Sequence, residues 1–108
     1  MQLVNAIVRP EKVRNVVGAL EEAGYLSFSK WSISGRGKQK GIQVGDVFYE
    51  EMPKVMVYLV VEDTAKDEVV DIIIENARSG GNGNSGDGRI FVNPIAEAYT
   101  ISAQEKDH

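Results

Sequence analysis

A chain of 108 residues with a formal net charge of -4 has room for one domain and no basic excess with which to hold a nucleic acid. It contains no cysteine, which removes disulfides and thiolate metal sites and fits a reducing cytoplasm. At 43% hydrophobic and 26% charged it has the make-up of an ordinary globular protein, and no apolar run approaches the roughly 20 residues of a membrane span.

Val4–Arg9 reads as a short buried strand, and Met1–Pro10 lacks the layout of a signal peptide. Pro10 suits the first turn of a helix, where its missing N–H is harmless. Val13, Val16, Val17 and Leu20 recur at helical spacing, and Gly24 is a natural stop. Tyr25–Ser34 reads as a second strand, with Leu26, Phe28 and Lys30 on one face and Tyr25, Trp31 and Ile33 on the other. Gly35–Pro53 is a long connection rich in glycine and charge, expected to be flexible over about 36–53. Val55–Val61 is a near-continuous apolar run, the pattern of a central strand.

Asp63 and Thr64 are good N-cap types for a second helix, and Asp67 and Glu68 would complement its dipole. Val69, Val70, Ile73 and Ala77 keep helical spacing. The helix cannot pass through Ser79–Gly88, because five of those ten residues are glycine. Arg89–Val92 is a fourth strand, Ala98–Ile101 a short fifth, and the polar tail from Gln104 is expected to be loose. The order predicts one α+β domain over 1–108: a ferredoxin-like βαββαβ sandwich with both helices on one face of an antiparallel sheet. A domain this small buries only about two-thirds of its unfolded surface. Its sheet keeps a bare face, so an oligomer is expected to cover it.

Two loops carry candidate chemistry. Gly35-Arg36-Gly37-Lys38-Gln39-Lys40-Gly41 combines close backbone approach with cations suited to phosphate or carboxylate oxygens. Its spacing is neither a dinucleotide fingerprint nor a Walker A loop. In Gly86-Asp87-Gly88-Arg89, a glycine turn can form an anion nest that Arg89 closes. A solvated hairpin tip accounts for the first loop alone, and a flexible connector for the second alone. Two such loops in one small domain are harder to dismiss. Catalysis finds little support. The single histidine, His108, is the last residue, and Glu21–Glu22 and Glu50–Glu51 have the character of solvated faces.

Together these residues resemble the PII nitrogen-regulatory family. The match runs over about residues 3–101 and is carried by Gly35-x-Gly37-x-Gln39-Lys40-Gly41, Pro53-Lys54-Val55 and Gly86-Asp87-Gly88-Arg89-Ile90-Phe91-Val92. Phe48-Tyr49-Glu50-Glu51-Met52-Pro53 and Glu97-Ala98-Tyr99-Thr100-Ile101 are most similar to the nitrogen-fixation subgroup, and to the first of its paired members. The resemblance implies a cytoplasmic regulator rather than an enzyme. It would be a homotrimer, or a mixed assembly with a PII-like paralogue, binding ATP or ADP, Mg²⁺ and 2-oxoglutarate. Its long loop would dock on nitrogenase. By the same resemblance Ile7, Ser29, Gly35, Gly37, Lys38, Val60, Gly86, Asp87, Gly88 and Arg89 match the nucleotide pocket. Gln39 matches a Mg²⁺ ligand, and Gln39, Lys40, Gly41 and Lys54 match the 2-oxoglutarate site.

Three features depart from the family pattern. Thr100 and Ser102 stand where two phosphate-reaching arginines are common. Gly81–Ser85 is extra loop length. The Gly41–Pro53 segment is shorter than in uridylylated members, and Tyr49 does not fall at the modified place. The alternatives are a general PII protein acting on an ammonium transporter or glutamine synthetase, or a ligand-free ferredoxin-like oligomerisation module.

Overall fold

The computed structural model describes residues 1–38 and 49–108. Strand β1 (Gln2–Val8) buries Val4, Ala6 and Val8 on one face. Period-two alternation turns Leu3, Asn5 and Ile7 to the other. Pro10 opens a single 3-10 turn, Pro10–Lys12, that feeds helix α1 (Val13–Glu22), and α1 buries Val16 and Leu20. Gly24 ends the helix at φ +96. Its N–H donates to the Glu21 carbonyl at 3.0 Å, and the Tyr25 N–H to the Leu20 carbonyl at 2.9 Å. This Schellman pairing satisfies carbonyls the helix would otherwise strand.

The second strand starts later and runs further than its sequence pattern. β2 is Ser29–Lys38 and pairs antiparallel with β3 (Tyr49–Val61), from Ser29 opposite Tyr58 to Lys38 opposite Tyr49. Tyr25 stays outside the strand, and its hydroxyl donates to Glu68 at 2.8 Å. The connection read as 36–53 is therefore paired strand at both ends. An exposed two-stranded ribbon needs backbone partners rather than buried side chains, so glycine and charge do not end it. Pro53 fits because β1 stops at Val8, opposite Val55, leaving β3 an unpaired side beyond that point.

Helix α2 (Lys66–Ala77) follows a 3-10 turn, Asp63–Ala65, and buries Val69, Ile73 and Ala77. Neither Asp63 nor Thr64 caps it; no side-chain cap bond forms at either start. The Asp63 carboxylate instead takes the Met1 ammonium and the Gln2 side-chain amide, each at 3.0 Å. The N-terminal group first, then Gln2, holds its pKa below the usual carboxylate value. Strand β4 (Gly88–Pro94) pairs antiparallel with β1, which completes the order β2-β3-β1-β4. This is the ferredoxin-like βαββαβ arrangement.

The core lies on one face of the sheet, where Val4, Ala6, Val8, Val57 and Leu59 meet Val16, Leu20, Val69 and Ile73. Burying each of the Val, Leu and Ile side chains contributes about 1.5–3 kcal/mol. The opposite face is open within the single chain, with Trp31 46%, Phe91 46% and Val60 42% exposed. Trp31 and Tyr58 stack there at a tilt, centroids 5.9 Å apart.

The tail differs from its sequence reading. Tyr99–Thr100 (β5) joins no strand of the main sheet; it pairs with Glu105–Lys106 (β6) in a separate hairpin. The polar end makes local bonds. The Thr100 hydroxyl bonds Asp107, Lys106 meets Glu97 at 3.2 Å, and the Asp107 N–H donates to the Ala98 carbonyl at 2.6 Å. Among the described residues, no helix is long and apolar enough to cross a membrane.

Candidate functional site

The antiparallel register of β1 and β4 sets Val8 opposite Gly88 and Ile7 opposite Arg89. Gly88 enters β4 at φ +120, and a Cβ there would lie 1.7 Å from the Ile7 carbonyl oxygen. No side chain fits. Only glycine lets the incoming loop press against the end of β1.

That loop is wound around one carboxylate. Asp87 Oδ1 accepts from the Ser79 hydroxyl at 2.6 Å and from Arg9 Nε at 2.9 Å. Its Oδ2 accepts from the main-chain N–H groups of Ser79 and Asn84 at 3.1 and 2.8 Å. Four donors use up the lone pairs of the carboxylate. Desolvation pushes its pKa upward, but the bonds from Ser79, Asn84 and Arg9 outweigh that and hold it well below the ordinary carboxylate range.

Two cations close the other side. Arg9 Nη2 donates to the Ser85 carbonyl at 2.9 Å, and the Lys54 ammonium donates to the Gly86 carbonyl. Gly86 sits at φ +92, and the space of its absent Cβ borders Arg9 Nη2 at 3.1 Å and Lys54 Nζ at 3.8 Å. The stem of Lys54 crosses Gly35, where an added Cβ would lie 3.0 Å from Lys54 Cγ. Burial, then the charge of Arg9, lowers the Lys54 pKa. Arg89 is exposed, with its guanidinium carbon 5.8 Å from the Phe91 ring centroid. A groove of about 640 Å³ runs below the loop, walled by Val70, Ile74, Ile90 and Val92 and bordered by Arg78 and Arg89.

The candidate residues fall into two groups. Gly35, Lys54, Gly86, Asp87 and Gly88 converge, with Ile7 and Arg89 paired beside them. Ser29 and Val60 form a second group: Ser29 pairs with Tyr58, two residues from Val60, and Ser29 lies on edge strand β2 while Arg89 lies on edge strand β4. Gly37 and Lys38 are placed by backbone pairing, opposite Glu50 and Tyr49. Gln39, Lys40 and Gly41 lie outside the described residues. Arg9 is the residue that sequence reasoning misses. Its one local signal is a cation directly before a helix-opening proline. Its role appears only when β1 is laid against β4.

Chemically, a glycine turn stands against Lys54 and leads into Arg89, residue types suited to an oxyanion. Among the described residues, no three His, Cys, Asp or Glu side chains gather as a metal site. Fold and loop together define a ferredoxin-like domain with a glycine-rich, carboxylate-braced turn where edge strand β4 meets the end of β1.

Comparison with known proteins narrows this. A family model described as Nitrogen regulatory protein P-II matches residues 1–105. The chain is 54% identical over 106 residues to the nitrogen fixation nifHD2 region GlnB-like protein 1 of Methanosarcina barkeri, covering 98% of each chain. It is 50% identical over 105 residues to the nitrogen fixation nifHD region GlnB-like protein 1 of Methanothermococcus thermolithotrophicus, covering 97% of each. The chain belongs to the nitrogen regulatory protein P-II family.

Proposed function

We propose that the chain is a nitrogen-fixation regulator that binds ATP or ADP with Mg²⁺ and 2-oxoglutarate, and that it acts by docking on nitrogenase. The observation that carries the ligand reading is the Asp87-braced turn, which holds Gly86 against Lys54 and leads through Gly88 into Arg89. Phosphate oxygens would meet the glycine backbone and Arg89. The nitrogenase reading rests on the relatives named for nifHD regions.

The two separated residue groups support a site built between copies. Ser29 and Val60 of one subunit would face Ile7 and Gly86–Arg89 of the next, and the open sheet face would be covered in a trimer, either of this chain or mixed with a paralogue. Gln39 would ligate Mg²⁺ through its amide oxygen, a donor that a hard cation prefers. Lys40, Gly41 and Lys54 would hold 2-oxoglutarate, with Gly37 and Lys38 adjoining the phosphates. Oxoglutarate chelating a metal already held by ATP makes one ligand conditional on the other, a coupling free energy between them. The segment between β2 and β3 would carry that state to the target.

Calorimetric titration tests the mechanism. Oxoglutarate should bind only with ATP and Mg²⁺ both present, and not with ADP. Gln39→Ala should abolish oxoglutarate binding while most ATP binding remains. Equal oxoglutarate affinity with and without ATP would overturn it.

A further inference from the structure

The Gly80–Ser85 stretch does more than lengthen a loop, because it contains an Asn-Gly pair beside an Asn-Ser pair whose surroundings differ. Asn82 is exposed, and among the described residues its side-chain amide makes no hydrogen bond. Gly83 follows it at φ +85 with no side chain to obstruct an approach. Asn84 is pinned: its Nδ2 donates to the Ser79 carbonyl at 3.2 Å and to Ser79 Oγ at 3.0 Å, and its N–H is held by Asp87. Asn5, Asn15 and Asn76 sit inside β1, α1 and α2, where regular backbone bonding blocks the same geometry, and Asn93 is followed by Pro94, which has no N–H to lose.

We propose that Asn82 is a self-modification site, deamidated by its own backbone, and that the Ser79–Asp87 brace governs how fast this happens. In the first step Gly83 N loses its proton and bonds to Asn82 Cγ. The side-chain nitrogen leaves as ammonia, and a five-membered imide remains. Water then opens the imide at either carbonyl, leaving aspartate or isoaspartate. No oxidant or enzyme is required.

The folded loop restrains the first step. The Gly83 N–H donates to the Ser79 carbonyl at 3.0 Å, so its nitrogen is occupied. Ser79 is itself held by Asp87 through both its N–H and its hydroxyl. Reaction therefore waits on local opening of a segment tied to one carboxylate. The product places a new negative charge next to Gly83, whose absent Cβ would lie 3.3 Å from Arg78 Nε. The isoaspartyl form also adds a methylene to the main chain and shifts the Gly83 N–H away from Ser79.

The test is mass spectrometry of the full chain aged at mildly alkaline pH. Trypsin cuts after Arg78 and Arg89 and so releases 79–89, in which fragmentation separates Asn82 from Asn84. The expected result is a gain of about 1 Da at Asn82 ahead of Asn84. In the native chain it should accumulate about tenfold more slowly than in the same chain unfolded in denaturant. Ser79→Ala and Asp87→Ala, each checked for folding by circular dichroism, should narrow that gap. Gly83→Ala should slow the reaction in denaturant, where folding plays no part. Equal native and denatured rates would overturn the bracing role. Absence of the mass gain in denaturant, or modification at Asn84 first, would overturn the site.

Discussion

Arg9 Nε and Asp87 Oδ1 lie 2.9 Å apart, although 78 positions separate them in the chain. The contact joins the end of the first strand to the loop that precedes the last strand of the main sheet. It orders that loop before any ligand arrives, so less entropy remains to be lost on binding.

Removing this tie should cost stability. Asp87→Ala should lower the unfolding free energy by about 2 kcal/mol, the scale of hydrogen bonds to a charged group, and Arg9→Ala by about 1 kcal/mol. Urea unfolding of both variants and of the double mutant checks this. The double mutant should lose less than the sum, because the two side chains share one bond. Unshifted midpoints would mean the loop is not tied by Asp87.

Acid should release the loop. The native pKa of Asp87 lies below its unfolded value. Its contribution is therefore complete above the ordinary carboxyl value of about 4 and is lost as pH falls towards the native value. Thermal unfolding between about pH 6 and pH 2 should show a steeper loss for the parent than for Asp87→Asn, which has no proton to take up there. Parallel curves would sink the assignment.

Two glycines should respond oppositely to alanine. Gly88→Ala forces a Cβ against the Ile7 carbonyl at φ +120 and should prevent folding or cost several kcal/mol, roughly the upper range for point mutations. Gly18 lies within α1 with open space where a Cβ would go. Gly18→Ala should stabilise by about 0.5–1 kcal/mol through helix propensity. Melting temperatures of the two variants decide both points.

Nucleotide should report on the turn. Arg89→Ala should weaken ATP by about 1.5–3 kcal/mol, as expected for a lost charge-assisted bond. Gly86→Val should weaken it too, because its branch would meet Arg9 and Lys54. Unchanged calorimetric titrations for both would remove the turn from the site.

The open sheet face should be covered by other copies. Light scattering of the chain at micromolar concentration should give about three times its 11.8 kDa mass, so that a buried interface makes up for the small core. A clean monomer would refute both the trimer and a site shared between subunits.

The helices and β1 were legible in the sequence because burial imposes a period, and Val16, Leu20, Val69 and Ile73 all lie where spacing put them. The ends of β2 and β3 were not. Gly35–Lys38 and Tyr49–Pro53 are joined by backbone pairing, which glycine and charged residues make as readily as apolar ones and which leaves no hydrophobic trace. Asp63 looked like a cap, but a competing cation, the chain's own N-terminus, took its carboxylate. The β5–β6 hairpin is held by polar contacts, so its composition read as loose. At the candidate site, Gly86–Arg89 read as a glycine-rich turn, and Gly86 and Gly88 do sit at positive φ. What could not be read was that Asp87 faces inward onto Arg9, Ser79 and Asn84. That placement depends on the register between β1 and β4, which no local pattern encodes.

The sheet order carries a consequence for how the chain is made. Within this domain β1 precedes both of its sheet neighbours, β3 and β4, and β4 ends at Pro94. Until that residue has left the ribosome, β1 keeps one open edge. Contacts so distant in sequence slow folding, and an unpaired apolar strand is exposed meanwhile to neighbouring chains. Nascent chains on adjacent ribosomes of one message would thus meet while β1 still lacks its second partner.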